Sequence, residues 1–267
     1  MAPNAAHIQL TLLAYGDRRL HVKRPVATMV GRHSHMSLVP FRKSDRARKR
    51  RPLDQHTIVR AALDLLDDVG LDDLTMRALA ARLGIKAASL YRHVRSKDEL
   101  LALLGDEISG EIPLPSATGT WQKRLVDSAW NVRRGLLAHR DAARVLANTP
   151  PVGPRRLRHI EAVLAVLRAA GLAKRDAAHA AYHLNNFVNE IAADEARFAA
   201  WVSQPGSNRR KVLAEARRQF KALPASEYPT IVDLADDLID DDQDALFRFG
   251  VDMCLRGVEA LVRRSRR

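Results

Sequence analysis

Thr75-Met76-Arg77-Ala78-Leu79-Ala80-Ala81-Arg82-Leu83-Gly84-Ile85-Lys86-Ala87-Ala88-Ser89-Leu90-Tyr91-Arg92-His93-Val94 reads as two short helices hinged at a glycine. Thr75 is a plausible N-cap, since its hydroxyl can accept from a free amide of the first turn. Met76, Leu79, Ala80 and Leu83 then share one face at helical spacing. Gly84 stops this helix, and a further helix is predicted over Ala87 to Val94. Ala80, four residues before Gly84, places a small side chain where two helices must cross closely, and Ile85 and Leu90 plug the space between them. That is the physical recipe of a helix-turn-helix, whose second helix enters the major groove of DNA.

The outward residues of the second helix carry the specificity of this reading. Lys86, Ala87, Ala88, Ser89, Tyr91, Arg92 and His93 include cationic and hydrogen-bonding groups and no carboxylate. Ala87, Ala88 and Ser89 are small enough to bring the helix onto base edges, and an alanine methyl can touch a thymine methyl. Arg92 can fork onto a guanine or hold a phosphate. Tyr91, His93, Arg95 and Lys97 suit contacts that position the backbone of the duplex, and Arg77 points to the same side. On these residues alone, a solvated face of a helical core stays an open alternative.

Outward from this stretch the text is helical throughout. Ile58, Ala62, Leu65 and Val69 recur with Val59, Leu63 and Leu66 beside them, an amphipathic helix ended by Gly70. Ser96-Lys97-Asp98-Glu99 has the capping-box form and opens a helix carrying Leu100, Leu103, Leu104 and Ile108, which runs to about Ile112. Beyond Pro113 and Pro115, helices are predicted over Trp121 to His139, 155–170, 176–202, 209–223 and Asp244 to Arg263. Pro150, Pro151, Gly153 and Pro154 make a rigid break, and 204–207 a loop. No internal repeat is present, which argues against a solenoid. The predicted class is all-α: a helix-turn-helix domain over 53–99 and a helical domain over 100–267, preceded by a basic arm over 1–52.

The charge is concentrated in that arm. Residues 1–52 hold 12 Lys and Arg against Asp17 and Asp45, net +10 of the +13 carried by the chain. The arm lacks sustained periodicity and reads as disordered, a source of sequence-independent attraction to phosphates. A start at Met29 or Met36 would remove part of it. Hydrophobic residues make up 46% of the 267 positions and charged residues 28%, which excludes a wholly disordered chain. The single cysteine, Cys254, cannot form an internal disulfide, so a cytoplasmic location is expected. No apolar run approaches the roughly 18–20 residues of a membrane span, and the short stretch Ile8 to Ala14 has no basic segment before it, as a secretory signal would.

From Leu53 to Ile112 the chain resembles the DNA-binding domain of the tetracycline-repressor (TetR) family. The resemblance rests on Ala61-Ala62-Leu63-Asp64-Leu65-Leu66, Val69-Gly70-Leu71, Leu74-Thr75-Met76-Arg77-Ala78-Leu79-Ala80, Leu83-Gly84 and Ser89-Leu90-Tyr91-Arg92-His93-Val94-Arg95-Ser96-Lys97. It continues through Leu136-Leu137-Ala138-His139-Arg140-Asp141 with Arg144-Val145, which looks like the opening of the tetracycline-repressor type of ligand domain, and through Phe247 to Leu261 with Gly250 and Gly257. The resemblance implies a homodimeric repressor on a palindromic double-stranded DNA operator, with 176–202 and 244–263 as the dimer helices; an activator or a ligand-independent DNA-binding regulator of the same fold is the alternative. It also implies a small-molecule effector in the helical core, with the helix from Ser96 to Ile112 transmitting its binding.

One departure bears on the effector. Leu146 stands where tetracycline repressors place the His that holds their magnesium, and Ser128, Val132 and Val163 replace polar residues that grip the drug. Thr149 and Pro151 persist, and Asp194 falls where the family has an acidic residue. Asn186 is a further candidate pocket residue among the polar groups of 176–202. The expected effector is therefore more apolar than tetracycline, and no metal or cofactor is expected.

Other constellations read more plainly. Ser89 and His93, spaced i and i+4, could pair as nucleophile and base, but no oriented carboxylate accompanies them and DNA contact explains both, so no enzyme activity is expected. His21, His33 and His35 lie in the arm without partners at ligand spacing. The acidic group Asp233, Asp236, Asp237, Asp240, Asp241, Asp242 and Asp244 has Ala245 where a calcium loop needs Gly and Val251 where it needs Glu, and reads as a solvated helix start. Cys254 among apolar neighbours reads as packing.

Overall fold

Why the first helix begins where it does is visible at Asp54, whose carboxylate accepts from the Thr57 amide at 2.7 Å in the computed structural model, which describes residues 53–203 and 206–265. This helix, α1, spans Gln55–Val69 and buries Ile58, Val59, Ala62, Leu63, Leu65 and Leu66, the positions its periodicity picks out. The remaining elements among the described residues are also helices: α2 Met76–Arg82, α3 Ala87–Leu90, α4 Lys97–Glu111, α5 Trp121–Leu137, α6 Ala142–Ala147, α7 Pro154–Ala169, α8 Lys174–Val202, α9 Arg209–Lys221, α10 Pro229–Asp233, α11 Ala235–Leu238 and α12 Gln243–Ser265. The arm over 1–52, with the candidate residues His21, His33 and His35, lies outside the described residues.

Three features depart from the sequence-based expectation. The helix predicted over Ala87 to Val94 is regular only to Leu90, and the chain continues to Val94 as hydrogen-bonded turns. Val94 must be buried and Ser96 must adopt an extended capping conformation, so the segment has no room for a longer regular helix. Residues 142–147 form a separate helix, α6, after a corner at Asp141, which takes a left-handed φ of 59°. The acidic group does not form one helix start: it runs from α10 through α11 into the first turn of α12, with Asp236 paired to Lys221 and Asp241 to Arg209, both on α9.

The large core is built by α5, α7, α8 and α12. Leu125, Ala129, Val166, Leu167, Leu184, Val188, Phe247 and Val251 form its centre. Arg133 is buried within it, donating to Glu195 at 2.9 Å and Asp244 at 2.6 Å, with its guanidinium over the rings of Trp130 and Phe247. A buried charge needs such partners, and this set joins α5, α8 and α12. Helix α4 packs on α1 on one side and on α6 and α7 on the other.

Candidate nucleic-acid interface

The turn between α2 and α3 follows from Gly84. Its φ of +65° is a conformation L side chains rarely adopt, and it allows the Ile85 amide to reach the Ala80 carbonyl at 3.0 Å while Gly84 itself bonds to Ala81. This pair of hydrogen bonds satisfies open carbonyls at the end of α2 and turns the chain sharply. Thr75 caps the start of α2 by accepting from Ala78 at 3.1 Å. Leu79 and Leu90 are wholly buried and Ala80 nearly so, which closes the crossing of the two helices.

Everything on the other side of this crossing faces water. Arg77, Lys86, Ala88, Tyr91 and Arg92 are exposed, and Ala87, Ser89 and His93 are half-buried. Tyr91 leaves 48% of its surface open, an unusual exposure for a large ring without a partner. Two cationic side chains, Lys86 and Arg92, therefore flank a small-residue turn, with Arg77 exposed at the start of α2. Lys97 stands apart: its ammonium group donates to the Leu71 carbonyl at 3.3 Å and helps hold α4 to the loop after α1. Ser89 and His93 are not joined by any hydrogen bond among the described residues, so the geometry shows no activated nucleophile there.

Helix α4 starts close to this surface. Ser96 accepts from the Glu99 amide at 3.1 Å, as its motif predicts, but Glu99 returns to the Arg95 amide at 2.7 Å. The far end of α4 meets the corner between α5 and α6, and the short text His139-Arg140-Asp141 with Arg144 proves to be a polar clasp. His139 contacts Asp67 of α1 at 2.9 Å and Glu111 of α4 at 2.7 Å. The Arg140 amide donates to Asp67, and its guanidinium to the Asp68 carbonyl. Asp141 accepts from the Leu71 amide at 2.9 Å, and Arg144 pairs with Asp72 and Asp141. Gly70 allows this approach, because a Cβ there would stand 2.9 Å from the Arg140 guanidinium. Sequence reasoning placed these residues at the start of a domain; their shared role in gripping α1 is legible only once the two segments meet.

The clasp is electrostatically poised. Burial of the His139 ring opposes its charge, but the hydrogen bonds it donates to the Asp67 and Glu111 carboxylates outweigh that and raise its pKa above 6.5. Burial likewise opposes ionisation of Glu111, but His139 and Arg60 outweigh it and hold its pKa below 4.5.

The residues expected to meet an effector divide into three settings. Ser128 and Leu146 are buried on α5 and α6, and Val132 and Val163 pack half-buried against the core. Thr149 is buried, donating to the Val145 carbonyl and accepting from Arg156, which also binds the Leu146 carbonyl. Asn186 lies exposed on α8 with Tyr182 and His183, away from the inner row of Leu184, Val188 and Ala192. Asp194 pairs with Arg197, and one of its oxygens is buried without a hydrogen-bond partner among the described residues. Leu146 offers no donor atom to a metal ion, and among the described residues no group of three or more His, Cys, Asp or Glu is placed to hold one. An open surface groove of about 450 Å³, which the sequence did not point to, is lined by Leu114, Ser116, Asp127, Trp130, Asn131 and Arg134.

Known proteins share this arrangement. The family profile "Bacterial regulatory proteins, tetR family" matches residues 58–104, and "Tetracyclin repressor-like, C-terminal domain" matches 113–262. An HTH-type transcriptional regulator of Saccharopolyspora erythraea is 36% identical over 192 residues, covering 72% of this chain and 78% of the relative. The tetracycline repressor protein class D of Escherichia coli is 31% identical over 212 residues, covering 78% of this chain and 89% of that repressor. The crystal structure of the Streptomyces coelicolor protein ActR in complex with actinorhodin superimposes with a TM-score of 0.71 at 35% identity, covering 78% of this chain and 96% of that one. Its complex with (S)-DNPA gives a TM-score of 0.70 at 34% identity, covering 79% and 98%.

Proposed function

The chain belongs to the tetracycline-repressor (TetR) family of bacterial transcriptional regulators, DNA-binding repressors with an N-terminal helix-turn-helix and a C-terminal ligand-binding domain, and from that premise we propose how it acts. It is a cytoplasmic homodimer without catalytic activity. Each subunit sets residues 87–93 into a major groove of a palindromic operator, with Arg77, Lys86 and Lys97 beside the duplex. Residues 53–99 form the DNA-reading head and 100–267 the body, with α4 spanning the join. The observation that carries this reading is the exposed, carboxylate-free surface of α3 and its following turn, held by a buried crossing at Ala80 and Leu90.

The effector occupies the helical body beside Ser128, Val132, Leu146, Thr149 and Val163, with Asp194 contributed from α8; Asn186, exposed on the outer side of α8, stands apart from this group. A small-molecule complex of ActR, a protein of the same fold, supports an effector here. Leu146 and the two valines favour an apolar molecule, since unpaired polar groups of a ligand would lose hydrogen bonds among them. Binding shifts the population toward a conformer whose two heads no longer match the half-site spacing, by no more than the effector's differential affinity for the two conformers.

Genome-wide fragment pull-down with the purified chain, with and without residues 1–52, tests the reading. A single enriched palindrome retained without the arm is the expected outcome. Removing +10 of charge lowers non-specific affinity and flattens its salt dependence, because fewer counterions are released. Diffuse enrichment that disappears with the arm would count against a sequence-specific regulator.

A further inference from the structure

His139 makes contacts that one neutral ring cannot make. A neutral imidazole carries one N–H donor and one lone-pair acceptor, whereas the imidazolium carries two donors. Here Nδ1 lies 2.9 Å from an Asp67 oxygen and Nε2 lies 2.7 Å from a Glu111 oxygen, both acceptors when ionised. With a neutral ring, one nitrogen lone pair would face a carboxylate lone pair across a hydrogen-bond distance. The geometry therefore calls for the charged ring, and its side chain is only 15% exposed.

The two carboxylates belong to different parts of the molecule. Asp67 lies near the end of α1, in the head, and Glu111 ends α4. Glu111 also accepts from Arg60 of α1 at 2.7 Å, and Arg60 lies near Glu107, which pairs with Arg155 of α7. The charged groups around the ring are thus Arg60, Asp67 and Asp68 of α1, Glu107 and Glu111 of α4, Arg140, Asp141 and Arg144 of its own corner, and Arg155 of α7. Five carboxylates interleave with these four arginines, and His139 is the group of this set whose charge changes near neutral pH.

We propose that His139 is a proton-operated clamp between head and body: as the imidazolium it ties α1 to α4 and to the α5–α6 corner, and on losing its proton it releases one of the two carboxylates. This rests on the DNA-reading role given to the head and adds a regulatory input to it. The raised pKa of the ring agrees in direction. A histidine with a raised folded pKa contributes stability that is fully present below its unfolded value near 6.5 and is lost as pH rises through the folded value. Glu111, with a lowered pKa, stays ionised across that range and is lost as a partner only on acidification below 4.5. The clamp is closed in mildly acidic solution and opens as pH rises through the raised pKa of the ring.

The test compares the full-length chain with His139→Gln, which keeps a polar side chain and cannot carry charge. The gap in Tm between them is expected to be widest at pH 6 and to close toward pH 8.5. A gap independent of pH would mean that His139 only packs, and would overturn the proposal. Affinity for a duplex carrying the strongest pull-down site is expected to change between pH 6 and pH 8 at least threefold more in the wild-type chain than in the variant. Equal pH slopes overturn the clamp but leave the DNA-reading role intact, whereas failure of both proteins to bind any recovered site removes the role itself. Should His139→Gln not fold, the NMR titration of His139 in the wild-type chain decides alone: an apparent pKa at or below 6.5 overturns the proposal.

Discussion

Arg92 is exposed in the turn just past a helix of four residues, and that position determines what it can contribute. It has no ion-pair partner among the described residues, so no internal contact must break before it meets DNA. A guanidinium that forks onto a guanine gives about 1–3 kcal/mol of discrimination against the wrong base. Arg92→Ala is therefore expected to keep its Tm while losing roughly tenfold or more in preference for the operator over a scrambled duplex, measured by competition binding. Loss of affinity that is uniform across sequences would instead place Arg92 on the phosphates. Lys97 differs, because its bond to the Leu71 carbonyl at 3.3 Å gives it a positioning role inside the fold as well.

Among the elements, α4 is the one on which both halves of the molecule depend. Its buried Asp106 reaches the start of α7 and accepts from the amides of Arg155 and Arg156 at 2.8 and 2.9 Å. A helix start preceded by Gly153 and opened by Pro154 has no side-chain cap of its own, so a carboxylate from another helix supplies it and also meets the favourable end of the helix dipole. Gly153 makes the approach possible, since a Cβ there would collide with Asp106. Asp106→Ala leaves two amides without their acceptor and is expected to cost about 1–3 kcal/mol in chemical unfolding. It is also expected to weaken the influence of an effector on DNA binding, read as a smaller ratio of operator affinities with and without it. An unchanged ratio would show that coupling does not pass along the α4–α7 contact.

At the level of the whole molecule, α8 and α12 each present a face that the single chain leaves uncovered. Tyr182 on α8 and Leu246, Phe249 and Met253 on α12 are between 54% and 66% exposed. On α12 they continue through Gly257 and Ala260 at helical spacing, opposite the buried row of Phe247, Val251, Leu255 and Val258. A helix apolar on both sides has a second partner to meet. Phe249→Asp is expected to convert the dimer into a folded monomer by analytical ultracentrifugation. It should also lower affinity for a two-half-site operator far more than for a single half-site. A variant that remains dimeric would move the interface elsewhere.

The sequence was enough to read most of the elements and little of what joins them. Periodicity and caps located α1, α2, α4, α5, α7, α8, α9 and α12 within a few residues, because burial of one helical face and satisfaction of terminal amides are local requirements written into spacing. The turn at Gly84 was legible for the same reason, as was the outward set from Lys86 to His93. Helices α6, α10 and α11 were not, since segments of four to six residues carry too few positions to show a period, and their form is imposed by what they pack against. The corner from His139 to Arg144 could be read as text but not as a clasp: its partners Asp67, Asp68, Leu71 and Asp72 lie some 70 residues earlier in the chain. The same holds for Asp106 and α7, and for Arg133 with Glu195 and Asp244. Hydrogen bonds and ion pairs between distant segments have no periodic signature, so helix identity was set by local sequence and the joining of α1, α4 and the α5–α6 corner only by tertiary contact.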